Sequence, residues 1–381
     1  MSEYQYYEFI AIDKPLNTQQ MAELRSVSTR AKITATSFVN EYQWGNFKGN
    51  PKNWIASYFD AFVYTANWGS CQFMLRVPLD CFSPETIQTF QIEMLDSFEI
   101  EQTATHWILD WQLNESENYE RFDDYQGCNW MGQLVPLRDE LLRGDLRPLY
   151  LGWLSNIYEL NDDTLEPPLP SGLGELSAAQ TALVEFLEID VDFIHAAVTA
   201  SPPLADDHSN TDQQAWLDSI STDKAKQLLS LLLEGRGQEA ERHTKTEFFT
   251  WQREQSNHPE GQPKPRKVSE LRKLAEIAKE ERKEREAIAA KKAAAEKQRQ
   301  REANLRTMYA DAELLWASAN TKAQRTTAAS YDEVTRIIKE LAAAYKLAGD
   351  TEGFKNAFTA FINVHGKRKA LADRLKKEKL L

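Results

Sequence analysis

Residues 267–348 form the longest stretch of this sequence without glycine or proline. The 82 residues from Lys267 to Ala348 begin with a segment made mainly of alanine, glutamate, lysine and arginine, which have high helix propensity. Glycine and proline are the residues that most often interrupt helices. The stretch therefore predicts an extended helical region, with a long charged helix from about Ser269 to Ser318.

This long helix has few apolar side chains over much of its length. Between Lys279 and Asn304 the apolar residues are alanines and Ile288, so no heptad seam is present and an ordinary coiled coil is not expected. Such a helix is either a solvated spacer held by charge pairs or a polar surface that binds a partner. An apolar stripe returns at Leu305, Met308 and Leu315 and requires something to pack on.

Charge divides the sequence into an acidic and a basic part. Residues 1–160 have a net charge of −11, residues 161–260 a net charge of −13, and residues 261–381 a net charge of +11. Such an asymmetry often marks contact with nucleic acid or with an acidic protein. Alternatively, the basic part offsets the acidic part within one molecule or across a dimer.

The first 160 residues predict an α+β domain with a mixed or antiparallel sheet. Strand-like runs of aromatic and β-branched residues alternate with segments that carry helix-start signals, such as Asn17 and Ser83-Pro84-Glu85. Asn67-Trp68-Gly69-Ser70 lies between two strand-like runs and predicts a tight hairpin. The fold class expected for the chain is this α+β domain followed by all-α segments.

The all-α segments divide at two stretches rich in proline, glycine and polar residues, 161–174 and 256–265. We expect an acidic helical domain over 175–255, the long charged helix over 267–325 and a basic helical hairpin over 330–381. Ser330-Tyr-Asp-Glu333 has the pattern of a capping box and predicts a helix start. Removal of the chain after about Gly261 is expected to leave a folded acidic body.

Several features indicate a protein of the cytoplasm. No apolar run is long enough to cross a membrane, and the N-terminal residues lack the pattern of a signal peptide. Cys71, Cys81 and Cys128 are odd in number and follow no metal-ligand spacing, which favours reduced thiols. No cofactor and no metal ion are expected, because the sequence contains no phosphate-binding loop, dinucleotide fingerprint or zinc-ligand motif.

No catalytic motif stands out, and a catalytic role is not favoured. The alternative is a hydrolytic enzyme with a site in the N-terminal domain near Trp44, Trp68, His106 and Asp110. His106 and Asp110 lie in a strand-like run, where residues four apart share a face but are about 13 Å apart. Trp44 and Trp68 are candidate ligand platforms, although a tryptophan in a turn more often covers a sheet edge.

The basic third of the chain supplies the candidate binding residues. Lysine and arginine side chains along a helix can follow phosphate groups, but the interleaved glutamates dilute their field. A protein partner is therefore favoured over nucleic acid, and no membrane contact is expected. The candidate residues are Lys264, Arg266, Lys267, Arg272, Lys273, Arg282, Lys283, Lys367, Arg368, Lys369 and Arg374.

Parts of the sequence resemble known groups. The segments YEFIAIDKPLNTQQMAELRSVSTRAKITATSFVNEYQWGNFKG, FDAFVYTANWGS and LLRGDLRPLYLGWL resemble an uncharacterised bacterial protein family. The segment IIKELAAAYKLAGDTEGFKNAFTAFINVHGKRKALADRL is similar to the helical tail of some SWIM-type zinc-finger proteins. Because the chain has no zinc-ligand set, the second resemblance implies a shared tail and a nucleic-acid context, and it supplies no catalytic residue.

These observations favour a non-catalytic interaction or scaffold protein. The basic helical part of the chain, residues 261–381, is expected to bind a protein or nucleic-acid partner. The alternative is the hydrolytic enzyme.

Overall fold

The computed structural model divides into two compact units, Met1–Glu280 and Glu281–Leu381. We call them the N-terminal unit and the C-terminal unit and describe each by itself. The structure describes residues 3–45, 47–92, 95–114, 116, 121–122, 129–204, 209–237, 240–241, 243–245, 247–248, 251 and 265–381.

The N-terminal unit is built on an antiparallel sheet of seven strands within the described residues. Its strand order is β2-β3-β1-β4-β5-β7-β6. The hairpin between β4 and β5 is the one that Asn67–Ser70 predicts, and Thr65 pairs with Cys71 beside it. The strands are β1 (Gln5–Ile10), β2 (Lys32–Ile33), β3 (Ser37–Tyr42), β4 (Ala61–Ala66), β5 (Cys71–Pro78), β6 (Phe98–Gln102) and β7 (His106–Leu113).

Both faces of this sheet are covered, because side chains alternate along each strand. One face carries Phe9, Phe38 and Phe62 and packs against helices α1 (Thr18–Val27) and α2 (Pro51–Ser57). Asn17 caps α1 as the sequence predicts and forms a capping box with Gln20, and Asn50 caps α2. The other face packs against helices α3 (Pro84–Phe90), α4 (Trp130–Leu134), α5 (Leu137–Leu142), α6 (Arg147–Leu154), α7 (Ala178–Phe186) and α8 (Val191–Val198).

One hydrophobic core joins the sheet to the helices that follow residue 160. Val63, Trp111 and Tyr150 belong to the same buried cluster as Phe186 and Ile194. The segment 161–174, which resembles a linker in composition, contributes Leu173 to this core as well. After α8 the chain continues with helices α9 (Ser209–Ser219) and α10 (Thr222–Leu233). The core does not break at the boundary that we expected near residue 160.

The same core extends beyond the expected truncation point at Gly261. Val268, Leu271 and Ala275 are all buried in it, and they belong to the first turns of helix α11 (Val268–Ala310). A chain cut at Gly261 would therefore lose part of the core of its N-terminal unit. The boundary between the two units lies instead at Glu280.

Helix α11 ends earlier than the sequence predicts. One residue, Asp311, separates it from helix α12 (Ala312–Gln324), because Asp311 has φ −94° and ψ 16°, outside the α-helical basin. Backbone hydrogen bonds continue on both sides, from Asp311 to Thr307 and from Leu315 to Asp311. The expected helix from 269 to 318 is therefore two helices joined at one residue.

The C-terminal unit is all helical and has a core of its own. The predicted hairpin is present as α13 (Ala328–Ala348) and α14 (Thr351–His365), and α12 and α15 (Lys369–Lys377) pack on it. Trp316, Ile338 and Phe361 are among the buried residues at its centre.

One predicted helix start in this unit is wrong. Thr327, and not Ser330, caps α13, because its extended backbone lets its hydroxyl accept from the Ser330 amide.

The predicted fold class, an α+β part followed by all-helical parts with a long helix, is confirmed. Among the described residues, no helix combines the length and the hydropathy that a membrane crossing requires. Cys71 and Cys81 are buried, whereas Cys128 lies outside the described residues.

Candidate functional site

The basic residues at the start of α11 are held by the N-terminal unit. The Arg266 guanidinium donates two hydrogen bonds to the Glu166 carboxylate, from Nε to Oε2 at 2.7 Å and from Nη2 to Oε1 at 2.9 Å. Glu166 is 3% exposed and also accepts from the Tyr150 hydroxyl at 2.6 Å. Burial raises the pKa of Tyr150 well above its ordinary value, so Tyr150 remains a donor. Arg266 is thus a structural residue of a buried ionic cluster.

Two more of these cations contact the same region. One Arg272 nitrogen donates to the Ile157 and Leu160 carbonyls at 2.9 and 2.8 Å, and another contacts Asp162. Lys267 pairs with Asp163 at 2.8 Å in an exposed position. The backbone of this segment is paired as well, with Glu166 N donating to Arg266 O at 2.8 Å. These contacts attach the first turn of α11 to its own unit, so these cations are not the residues we would assign to a partner.

The remaining candidates near the start of the helix differ in their surroundings. Lys264 lies outside the described residues. Lys273 and Lys283 are exposed on α11. Arg282 pairs with Glu286 at 3.1 Å one turn later. This part of the helix has the alternating charges of a solvated surface.

The basic residues of the last two helices fall into two groups. The Arg368 guanidinium donates to the Ala323 carbonyl, and Arg374 Nε donates to Asp332 at 2.6 Å, so both arginines tie helices of the C-terminal unit together. The lysines Lys367 and Lys369 are exposed. Lys376 and Lys377 are also exposed. The accessible charge at this end of the chain is therefore carried by lysines.

An open groove lies on the C-terminal unit between α11 and α13. Its volume is about 630 Å³. The floor is apolar and consists of Leu305, Met308, Leu315 and Ile337. The rim carries charged side chains on both helices, namely Lys297, Arg301, Arg336 and Glu340. The apolar stripe at Leu305, Met308 and Leu315 is visible in the sequence, but the groove is not, because its opposite wall comes from α13.

The residues considered for a hydrolytic site do not come together. Trp44 follows β3 and Trp68 follows β4, and the two strands terminate at the same end of the sheet, since Gln5 pairs with both Tyr42 and Ala66. His106 pairs with Pro78 at the far end of β5, about 23 Å along the strand from the Trp68 turn. Trp44 is 76% exposed and Trp68 is 37% exposed. The two tryptophans lie at the same end of the sheet, and His106 lies at the opposite end.

Asp110 lies in a separate polar cluster under α2. It is 2% exposed, and the Gln72 amide donates to both of its oxygens at 2.8 and 3.0 Å. Lys52 Nζ lies 3.5 Å from Asp110 and also pairs with Glu99. Burial raises the pKa of Asp110 to about 6, while Gln72 and Lys52 oppose this shift. The Asp110 carboxyl is buried under its partners, whereas Lys52 and Glu99 are partly exposed, so a substrate could reach these two side chains but not Asp110.

His106 has a different set of neighbours. Its Nδ1 lies 2.7 Å from the Thr105 hydroxyl, and burial together with the Arg76 charge lowers its pKa. Asp60, which is buried, accepts from Arg76 and from the Ile12 and Asp13 amides. These interactions stabilise one end of the sheet, and among the described residues no carboxylate is hydrogen-bonded to the His106 ring.

Within the described part of the chain, no group of three or more histidine, cysteine, aspartate or glutamate side chains is placed to hold a metal ion. Comparison with known proteins finds no match among protein-family models, curated proteins or solved structures. The two resemblances noted in the sequence therefore stay predictions. The groove and the exposed lysines of the C-terminal unit are the features that a partner could use.

Proposed function

We propose that this chain is a non-catalytic interaction protein whose C-terminal unit binds a protein partner. The observation that carries the proposal is the groove between α11 and α13, which combines an apolar floor with a charged rim. The unit has its own buried core, and Leu315 and Ile337 of the floor pack against it while they remain partly exposed. Apolar floors with polar rims are typical of surfaces that bind proteins.

Charge supports the same assignment. Residues 281–381 contain 22 lysines and arginines and 14 aspartates and glutamates, a net charge of +8. The arginines of the last helices are used in internal contacts, whereas Lys367, Lys369, Lys376 and Lys377 remain exposed. An exposed lysine surface speeds encounter with an acidic partner but supplies little affinity by itself.

The test compares the full chain with a chain ending at Glu280, which keeps Val268, Leu271 and Ala275. Each is purified from its native cell with and without nuclease, after circular dichroism and thermal unfolding show that the shorter chain is folded. We expect a partner protein to co-purify with the full chain whether or not nuclease is added. The same protein should be absent from the shorter chain. A partner that stays with the shorter chain would refute the proposal.

A second outcome would replace the protein partner with nucleic acid. In that case the bound material is sensitive to nuclease and is released by salt, with affinity falling linearly on a logarithmic salt scale.

A further inference from the structure

We propose that the groove of the C-terminal unit binds an acidic amphipathic helix of a partner protein. The inference rests on the proposed function and names the chemistry of the partner. It follows from three features of the groove: its length, its apolar floor and the sign of the charges on its rim.

The length of the groove suits a short helix. Its α11 wall is one helical face, formed by Lys297, Gln300, Arg301, Asn304, Leu305 and Met308 at alternating spacings of three and one. From Lys297 to Met308 this face is about 17 Å long, or three helical turns. The α13 wall adds Arg336, Ile337 and Glu340, which lie on one turn. A partner helix of three turns would lie along both walls.

The floor favours apolar anchors. Leu305 is buried against the unit, while Met308, Leu315 and Ile337 are partly buried and face the opening. A helix that docks in a groove presents its apolar residues at positions i, i+3, i+4 and i+7. Methionine adapts its shape to different anchors, which suits a floor that receives leucine or phenylalanine side chains.

The rim favours acidic flanks. Lys297, Arg301 and Arg336 supply three positive charges, and Glu340 supplies one negative charge. Glu340 lies 3.6 Å from Arg301, so that pair is neutral as a whole. Lys297 and Arg336 stand on opposite walls of the groove and leave a positive charge on each side. Carboxylates that flank the apolar face of a bound helix would lie beside these two cations.

Nucleic acid fits this groove less well. A backbone of phosphates is matched by rows of cations and by aromatic platforms for bases. Here the floor is aliphatic, and apolar anchors gain more from it than phosphates do.

The experiment uses the full chain and synthetic helical peptides of about 14 residues, which allows three turns with their ends. The first peptide has leucine at i, i+3, i+4 and i+7 with glutamate on both flanks. The second replaces each glutamate with lysine, and the third keeps the composition of the first in scrambled order. Fluorescence anisotropy at about 0.1 M salt measures binding, where surface charges still act over about 10 Å. We expect the first peptide alone to bind.

Two charge-reversal variants locate the site. Lys297→Glu with Arg336→Glu reverses the two walls of the groove, and Lys291→Glu with Lys292→Glu makes the same change of charge on α11 outside it. The groove variant is expected to bind the acidic peptide at least about tenfold more weakly, and the control variant less than about twofold. All four residues are exposed, so both variants should keep the wild-type circular dichroism. A photo-crosslinking amino acid in place of Asn304 should attach the acidic peptide.

The following results would overturn the inference. They are no binding of the acidic peptide, equal binding of the scrambled peptide, equal loss in the two variants, and a full chain whose dimer the groove variant converts to a monomer. The last result would make a second copy the occupant, and binding of single-stranded DNA at the groove without peptide binding would assign it to nucleic acid. If the native partner still accompanies the groove variant, the inference fails while the proposed function stands.

Discussion

Replacing Arg266 with alanine is expected to destabilise the N-terminal unit by about 3–5 kcal/mol, the range found when one partner of a buried ion pair is removed. The Glu166 side chain is 1% exposed, so water cannot replace the hydrogen bonds that the Arg266 guanidinium donates to it. Its remaining donor would be the Tyr150 hydroxyl. Arg266 also donates to the Ala196 carbonyl at 3.1 Å, and loss of that bond adds to the effect.

The neighbouring lysine provides a matched control. Lys267 and Asp163 form an ion pair of similar length, but the two side chains are 50% and 89% exposed. Such exposed pairs contribute little to stability because water and salt screen them. Lys267→Ala should therefore leave the unfolding midpoint unchanged within error.

Urea unfolding followed by tryptophan fluorescence measures both variants. Nine of the ten tryptophans belong to the N-terminal unit, so the signal reports mainly on that unit. Amide exchange adds a local measurement, because the Glu166 and Val268 amides bond to Arg266 O and Thr164 O. Exchange at these two amides should be faster in Arg266→Ala.

The reasoning is refuted if Arg266→Ala and Lys267→Ala shift the midpoint equally. A second check replaces Glu166 with glutamine in the Arg266→Ala background. A neutral amide costs less to bury than an unpaired carboxylate, so the double variant should be more stable than Arg266→Ala alone. No recovery would show that the loss comes from packing and not from the buried charge.

Two further predictions concern the sheet and its helices. Burial raises the pKa of Asp110 to about 6 from an ordinary value of 3.8, so the folded state holds this proton more tightly than the unfolded state. Wild type should therefore gain up to about 3 kcal/mol relative to Asp110→Asn as the pH falls from 7 through 6 toward 4, and a relative loss in urea unfolding over that range would contradict the shift. Gly152→Ala would place a methyl group 2.6 Å from the buried Phe98 ring, and it should lower stability by about 1–3 kcal/mol. Gly132→Ala, with no described atom within 4 Å of its new methyl group, should leave thermal stability equal or raise it by up to about 1 kcal/mol.

Local signals in the sequence predicted much of the fold. Asn17, which was predicted as a helix start, caps α1, and Gly349, with φ +77°, ends α13 in the left-handed conformation that glycine allows. The hairpin at Asn67–Ser70 is present for the same reason, since its turn residues lie between two strand-like runs. Each of these features depends on residues a few positions apart.

Features that depend on distant residues were not predictable in this way. Arg266 reads as a member of a basic cluster, but its partner Glu166 is 100 positions earlier in the chain. The choice between two nearby caps was not predictable either. Thr327 and Ser330 are both suitable cap residues, and in the structure Thr327 caps α13. The groove needs both α11 and α13, so neither wall alone indicates it.

The burial of Val268, Leu271 and Ala275 has a consequence for the order in which the chain folds during synthesis. The sheet is complete once residue 113 has been made, but the core on one of its faces waits for residues that emerge some 150 positions later. Until then the nascent chain exposes the part of the N-terminal core that these three residues cover. Ribosomes add roughly 5–20 residues per second, so the N-terminal unit then has about 5–20 s to close its core while residues 281–381 are being made. A released chain that ends before Val268 would therefore be a substrate for chaperones or proteases, whereas one that ends at Glu280 would hold a closed core.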